Sequence, residues 1–190
     1  NAHNGLVNII TRDPRTSAGT TIAAGAGNQS TLFFRGRHAQ VLSDKLSFKV
    51  MGSYSQAEEF EYVDSVYIDR LDANGNLGAD GTPEAYEEFD LNRDVNFLRA
   101  EGALYYSPTE DVDIIFNTGY SNSNYLSPTN VGRNQIIDWQ LNYYQLQLKS
   151  EHWFAQVNYT SSKTDDTYSI DERTKQYYRG LDAGLSPEEA

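Results

Sequence analysis

The chain has 190 residues, a usual length for one domain, and its net charge of −12 disfavours nucleic-acid binding, which needs clustered cations. No apolar run approaches the roughly 18 residues of a transmembrane helix, and the absence of cysteine excludes disulfides and thiolate metal sites. The negative charge is concentrated in two stretches. Residues 57–95 hold 12 acidic and 2 basic side chains, and residues 164–190 hold 7 and 3. The rest of the chain is slightly positive.

Alternation of apolar and polar residues with a period of two predicts a series of β-strands. Ile114 and Phe116, for example, face away from Asp113 and Asn117. A short apolar strand is predicted first, at residues 5–11. Seven longer strands are predicted after it, at about 18–28, 30–41, 45–54, 97–106, 111–121, 143–150 and 152–160. The predicted fold class is all-β, an antiparallel up-and-down meander.

The predicted connections alternate in length. Short links such as SPTED, around Ser107–Glu110, join every second pair of strands, as antiparallel hairpins require. The other links are mostly longer, with a long one at 57–95, a medium one at 122–135 and a long one from 164 onward. Helix is predicted only in SPEEA at the end, where Ser186 suits an N-cap position.

Two architectures are compatible with this pattern. A soluble or surface-exposed β-sandwich binding module also alternates apolar and polar residues. The predicted strands are longer than usual sandwich strands and match tilted strands that cross a bilayer, and short turns alternating with long acidic loops fit an outer-membrane β-barrel. The pattern favours the barrel over the sandwich. Seven strands is an odd number and no start methionine or signal segment opens the chain, so we expect a fragment of such a barrel.

The opening NAHNGLVNIITRDP resembles the end of the plug domain in TonB-dependent outer-membrane receptors. In that family an Asn-Gly stretch leads into a short apolar strand ending in Ile-Ile-Thr, followed by a basic residue and proline. The matching residues here are Asn4, Gly5, Val7, Asn8, Ile9, Ile10, Thr11, Arg12 and Pro14. The following segment, from GTTIAAGAGNQSTLFFRGRHAQ to DKLSFKVMGSY, is similar to the first barrel strands of the family. Later blocks such as FLRAEGALYY also resemble it.

The resemblance implies that residues 1–14 are the C-terminal end of a plug domain. Residues 15–190 would then be the N-terminal part of a 22-stranded transmembrane β-barrel, with a long external loop at 57–95. The implied function is import of a scarce solute, such as a siderophore, vitamin, oligosaccharide or peptide, across the outer membrane of a Gram-negative bacterium. The implied partners are outer-membrane lipid, the solute and a TonB-type energising protein. No enzymatic activity, cofactor or bound metal is expected.

Four charged residues lie within predicted strands on their polar faces: Arg35, Arg37, Arg99 and Glu101. An arginine facing lipid at the bilayer midplane would cost about 2–4 kcal/mol, so in a barrel these side chains must face the lumen. There they would contact the plug or carry ordinary solvated charge, and the sequence favours neither. The family resemblance implies that solute contacts come from external loops and the plug apex. Tyr125, Arg133 and Trp139 are candidates for such contacts, but nothing in the sequence selects them.

Other motifs are weaker. His3, His38 and His152 lie in different segments without a hydrolase signature, which argues against catalysis. The segment DANGNLGADG spaces oxygen ligands as a calcium loop does, but Leu77 and Pro83 stand where such a loop needs Gly and Glu, so a solvated turn is the simpler interpretation. Two formal glycosylation triplets begin at Asn28 and Asn158, and the second falls within a predicted strand.

Overall fold

The computed structural model describes residues 11–62, 64–68, 84–130 and 132–189. The strands are β1 (Gly19–Ala26), β2 (Leu32–Ser43), β3 (Leu46–Glu58), β4 (Ser65–Ile68), β5 (Glu84–Glu87), β6 (Asp94–Thr109), β7 (Val112–Thr129), β8 (Gly132–Ser150), β9 (Phe154–Lys163) and β10 (Tyr168–Ser169), followed by helix α1 (Ile170–Asp182). Apart from Thr11, the predicted strand at 5–11 lies outside the described residues. So do His3 and the segment DANGNLGADG.

The long strands form one antiparallel sheet in the order β1, β2, β3, β6, β7, β8. β9 pairs with the free edge of β8 from Gln140 to Lys149, and β10 pairs with Asn134 and Gln135 on the same edge. A separate hairpin, β4–β5, lies between β3 and β6 in the chain. The prediction of an all-β antiparallel meander is confirmed. Within the described residues β1 and β9 do not pair, so the sheet is open.

The medium-length connection predicted at 122–135 is wrong. β7 continues to Thr129 and β8 begins at Gly132, and the two strands pair along their whole length with one irregularity between Ser123 and Tyr125. Their 18 and 19 residues exceed the predicted strand lengths. Polar residues interrupt the apolar alternation in this region, but the backbone ladder does not depend on side-chain polarity and therefore continues.

Helix α1 is the second correction. SPEEA forms a turn, in which the Ser186 hydroxyl donates to Glu189 Oε2 at 2.7 Å, and the helix lies before it. α1 begins after the N-cap Ser169, whose hydroxyl oxygen accepts from the Glu172 backbone N–H at 3.4 Å. Ser169 and Glu172 have the spacing of a capping box, a signal present in the sequence that the periodicity analysis missed. Within the described residues, no helix combines the length and apolarity needed to cross a membrane.

Cross-strand pairing collects the apolar residues of the long strands on one side of the sheet, which we call the apolar face. One row across it consists of Phe48, Leu104, Phe116, Leu146 and Val157, each paired with the next. Large apolar side chains on this face stay exposed, with Val157 and Tyr159 each 64% accessible. Contiguous exposed apolar surface of this kind marks a surface that another apolar phase or partner covers.

The opposite side of the sheet, which we call the polar face, carries charged residues and amides. One row across it runs through Lys49, Ala103, Asn117, Gln145 and Asn158. The amides bond to one another, since Asn117 Nδ2 donates to Gln145 Oε1 at 2.9 Å and Gln145 Nε2 donates to Asn158 Oδ1 at 2.8 Å. Asn158, the start of the second glycosylation triplet, therefore lies within this hydrogen-bonded row.

β4, β5 and α1 pack together beside the meeting point of β7 and β8, and we call this unit the loop module. Helix α1 contacts β4 and β8, and Ile68 and Ile170 are fully buried. The Phe89 and Tyr177 rings stack with centroids 3.9 Å apart. The buried Thr174 hydroxyl accepts from the Phe89 N–H at 3.0 Å. The two acidic stretches of the sequence therefore fold against each other.

A buried ion pair joins the loop module to the sheet. Arg133 of β8 pairs with Glu88, and their side chains are 11% and 2% exposed. Arg133 Nη2 also donates to the Tyr62 carbonyl at 2.9 Å, and the Asp64 backbone N–H donates to Glu88 Oε2 at 3.1 Å. Because removal of one partner would leave a buried charge uncompensated, this pair holds the module to the β7–β8 hairpin.

Two strand glycines differ in the space around them, and this difference is testable. A Cβ at Gly119 would overlap the Tyr143 ring, whereas a Cβ at Gly36 would meet nothing within 4 Å. We expect Gly119→Ala to lower the melting temperature because the ring must move, and Gly36→Ala to leave it unchanged or raise it slightly. Circular dichroism of the purified variants under identical conditions measures both. Equal melting temperatures would contradict the packing of Tyr143 over Gly119.

Candidate functional site

The four charged residues predicted as a site lie together on the polar face. Arg35 and Arg99 both pair with Ser53 of β3, one from each neighbouring strand. Arg37 and Glu101 pair with Met51 in the same way. All four line one solvent-open cavity of about 570 Å³. The pairing of β2 and β6 with opposite edges of β3 brings them together, although 62 or more positions separate the β2 pair from the β6 pair in the sequence.

This cavity is strongly basic in a chain of net charge −12. Arg12 also lines it, so four guanidinium groups face a single carboxylate, Glu101. Arg35, Arg99 and Glu101 form no ion pair among the described residues. Arg37 donates to the Ser17 carbonyl at 2.9 Å and to the Ser17 hydroxyl at 2.6 Å. The uncompensated positive charge gives the cavity the electrostatics of a site for an anionic group.

The segment Thr11–Ser17, which leads into β1, lies over the end of the polar face near the turn between β6 and β7. The Lys49 ammonium donates to Thr11 Oγ1 at 2.7 Å and to the Arg12 carbonyl at 2.9 Å. Pro14 is fully buried, as are polar-face residues at this end such as Ser47. The segment is therefore anchored both by packing and by hydrogen bonds.

Arg15 is the main electrostatic link between this segment and the sheet. Its guanidinium pairs with Asp13 at 2.7 Å and with Asp113 of β7 at 2.8 Å, and it donates to the Ser107 hydroxyl at 2.9 Å. Partial burial opposes ionisation of Asp13, but the hydrogen bonds and charge of Arg15 outweigh it and lower the pKa of that carboxyl. This link was not predicted from the sequence. Its only sign there is Asp113, a charged residue on the polar side of a strand beside a tight turn.

Tyr125 and Trp139 also lie together, on the polar face beyond the basic cavity. Their ring centroids are 6.5 Å apart, and Tyr125 is 5.7 Å from Phe97. A second cavity of about 330 Å³ is lined by Trp139 and shares Arg99 and Glu101 with the first. Aromatic rings thus border the Arg99 guanidinium group, an arrangement suited to a ligand that carries both a flat ring and a negative charge.

Arg133 does not join this group, because its side chain is occupied by Glu88 in the loop module. The two described histidines lie on separate elements. His38 of β2 bonds to Thr20 Oγ1 at 2.8 Å, and His152 is exposed in the turn after β8. Comparison of the chain with protein-family models, curated proteins and solved structures gives no match. The geometry of the polar and apolar faces therefore has to carry the functional argument.

The Arg15 link predicts a change in protease sensitivity. Replacing Asp113 with Asn removes one charge partner of Arg15, so the segment should detach more often and trypsin should cleave after Arg15 several-fold faster. Asp111→Asn is the matched control, since Asp111 is exposed and forms no ion pair among the described residues. Mass spectrometry of timed digests measures the rates. Equal cleavage of both variants would contradict the role of Asp113.

Proposed function

We propose that this chain is part of a TonB-dependent outer-membrane receptor and imports a scarce solute with energy from an inner-membrane complex. In this proposal the sheet is a sector of a 22-stranded transmembrane barrel in a Gram-negative bacterium, with the apolar face toward lipid and the polar face toward the lumen. The observation that carries the proposal is that the limit of the apolar face runs obliquely across the strands.

The limit of the apolar face at the end nearer the loop module shifts along the strands from β2 to β9. At β2 the last apolar residue, Leu32, is level with Gln56 of β3, and at β9 the last one, Tyr159, is level with Val50 of β3. The limit thus falls by six residues of strand across five strand spacings, about 20 Å against about 24 Å. This slope corresponds to about 40°, within the tilt of about 35–45° that barrel strands have relative to the membrane normal. A layer crossed by tilted strands produces such a slant.

Tyrosines occupy most of this limit, and we call Tyr54, Tyr120, Tyr144 and Tyr159 the tyrosine row. The Tyr54 hydroxyl donates to Gln56 Oε1 at 3.2 Å, and the Tyr120 hydroxyl accepts from Asn122 Nδ2 at 3.4 Å. Each of these two hydroxyl groups therefore points away from the apolar residues and toward polar ones. Aromatic rings with this orientation form the girdles at the membrane interface of outer-membrane barrels.

The polar face supports the same proposal from the other side. Charged side chains such as Arg35 and Arg99 would be costly in lipid and are acceptable in a lumen. The plug, of which residues 1–14 would be the C-terminal end, would lie against this face and supply anionic partners to Arg35, Arg37 and Arg99. The contacts of Thr11–Ser17 with the sheet give the plug a fixed connection to a barrel that comprises residues 15–190.

Loop lengths set the proposed sidedness. The connection at 57–95 and the loop module would be extracellular. The tight turn predicted around Ser107–Glu110, which lies at 110–111 between β6 and β7, would face the periplasm, as in outer-membrane barrels. The proposed partners are outer-membrane lipid, a TonB-type protein and a small solute that contacts the lumen near Tyr125 and Trp139. A β-sandwich would instead need a second sheet over the apolar face, and the described residues provide only the β4–β5 hairpin as a second sheet.

Neighbouring substitutions on opposite faces test which face meets lipid. Phe116→Arg should reduce assembly in the outer membrane because arginine on the lipid face costs about 2–4 kcal/mol near the midplane, whereas Asn117→Arg should assemble normally. Membrane fractionation and heat-modifiable gel mobility of the full-length protein measure assembly. If the apolar face met water, Phe116→Arg would increase solubility, and that result would reject the proposal.

Cysteine labelling tests the sidedness, since the chain has no cysteine of its own. Glu61→Cys, at a side chain 87% exposed, should react with a membrane-impermeant maleimide in intact cells. Thr109→Cys, at the exposed end of β6 beside the tight turn, should react only after the outer membrane is permeabilised. Labelling of both sites in intact cells would be the outcome expected of a surface-displayed sandwich and would contradict the barrel topology.

A further inference from the structure

A group of amide side chains follows the tyrosine row on the apolar face, and we call it the amide belt. Its members are Gln56, Asn96, Asn122, Asn124 and Gln140. These residues are half-buried, and they lie on the same side of the sheet as Tyr54 and Leu98 because the pairing register continues without a shift up to this level.

Hydrogen bonds hold the amide belt in one arrangement. Asn124 Nδ2 donates to Asn96 Oδ1 at 2.9 Å and to Asn122 Oδ1 at 3.3 Å, and Asn124 Oδ1 accepts from the Asp138 backbone N–H at 2.8 Å. The Asp138 carboxylate accepts from Asn122 Nδ2, and it also accepts from Gln140 Nε2 at 2.7 Å. The irregularity between β7 and β8 places Asp138, at a φ of 49°, within this network. The belt is therefore preorganised rather than a set of free side chains.

The belt lies between the tyrosine row and the loop module. Leu126 and Gln135 pair with each other one step beyond Asn124 on the same side of the sheet, and both are buried there, 7% and 1% exposed. The loop module packs against this part of β8. Because Leu126 and Gln135 are buried on the side of the sheet that carries the apolar face, the module lies over the belt and not over the polar face. In the proposed receptor the belt would be at the level of lipid headgroups, below an overhanging module.

The chemistry of the belt favours a neutral, hydroxyl-rich headgroup. Amides both donate and accept hydrogen bonds, and a carboxylate accepts them, which matches sugar hydroxyls. A phosphate would require cations. Lys163 is level with Gln140 but pairs with Asp165 at 3.7 Å, and Asp138 adds a negative charge. The balance of groups therefore disfavours an anionic headgroup bound through phosphate alone.

We propose that the amide belt is a docking surface for the sugar headgroup of a glycolipid in the outer leaflet of the membrane. This proposal rests on the proposed function, because it requires the apolar face to meet lipid. The sugar would lie between the tyrosine rings and the loop module, where its hydroxyls would bond to the amide groups of Asn96, Asn124 and Gln140.

The test measures the melting temperature of the full-length protein in phosphatidylcholine nanodiscs that contain monogalactosyl diacylglycerol, phosphatidic acid or neither. A lipid that binds the native state raises the melting temperature, and we expect a rise of about 2–4 °C with the galactolipid and none with phosphatidic acid. No rise with the galactolipid, or an equal rise with phosphatidic acid, would overturn the proposal.

Variants assign the effect to the belt. Asn124→Ala and the milder Gln140→Ala should each remove the galactolipid-dependent rise, while Asn117→Ala, which alters the amide row of the polar face, should retain it. Retention of the rise in both belt variants would overturn the proposal. Two variants are used so that the test remains valid if one of them fails to fold. Size-exclusion chromatography measures separately whether the protein enters the nanodiscs. Failure to enter them would contradict the proposed function, whereas entry without the galactolipid-dependent rise would contradict only the glycolipid proposal.

Discussion

The uninterrupted pairing register of the central strands is the constraint on which the rest of the structure depends. A slip of one residue would exchange the two faces of a strand, moving Leu104 to the side of Arg99. Among the described residues, two irregularities lie at strand ends, between Val41 and Ser43 and between Tyr106 and Thr109. The third lies within the β7–β8 ladder, between Ser123 and Tyr125, beyond the rows that carry the apolar face. Seven long strands therefore contribute to the same two faces, and the exposed apolar surface, the basic cavity and the tyrosine row all follow from that register.

The strands and their faces could be predicted because side-chain alternation is a local property, readable from a few neighbouring residues. Helix α1 could not be predicted from periodicity, although its capping box was visible at Ser169 and Glu172. Its stability depends on contacts distant in sequence, such as the stack of Tyr177 on Phe89 and the bond from the Phe89 N–H to Thr174. Short helices owe most of their stability to such packing, so a local pattern understates them.

The candidate site was predictable only as separate parts. Alternation places Arg35 and Arg99 on polar faces, but their approach across β3 requires the pairing register, which a single strand does not specify. The irregularity at Asp138 changes the faces of β8 in a way that side-chain alternation does not reveal. One extra residue in β8 places Arg133 on the opposite side of the sheet from Trp139, although the two are an even number of positions apart. Arg133 therefore meets Glu88, and no alternation count along β8 gives that result.

The distribution of charge follows from what each region has available as a partner. Acidic residues of the long connections find bases within the loop module or beside it, as Glu88 does with Arg133 and Asp90 with Arg173 at 2.6 Å. The polar face lacks this balance, since Arg35 and Arg99 have no carboxylate partner among the described residues. Solvated arginines cost little alone, but once a second layer excludes water they need anionic contacts to offset desolvation. In the proposed receptor, a plug or solute that covers the polar face would therefore have to present carboxylates or another anion at the level of β2 and β6.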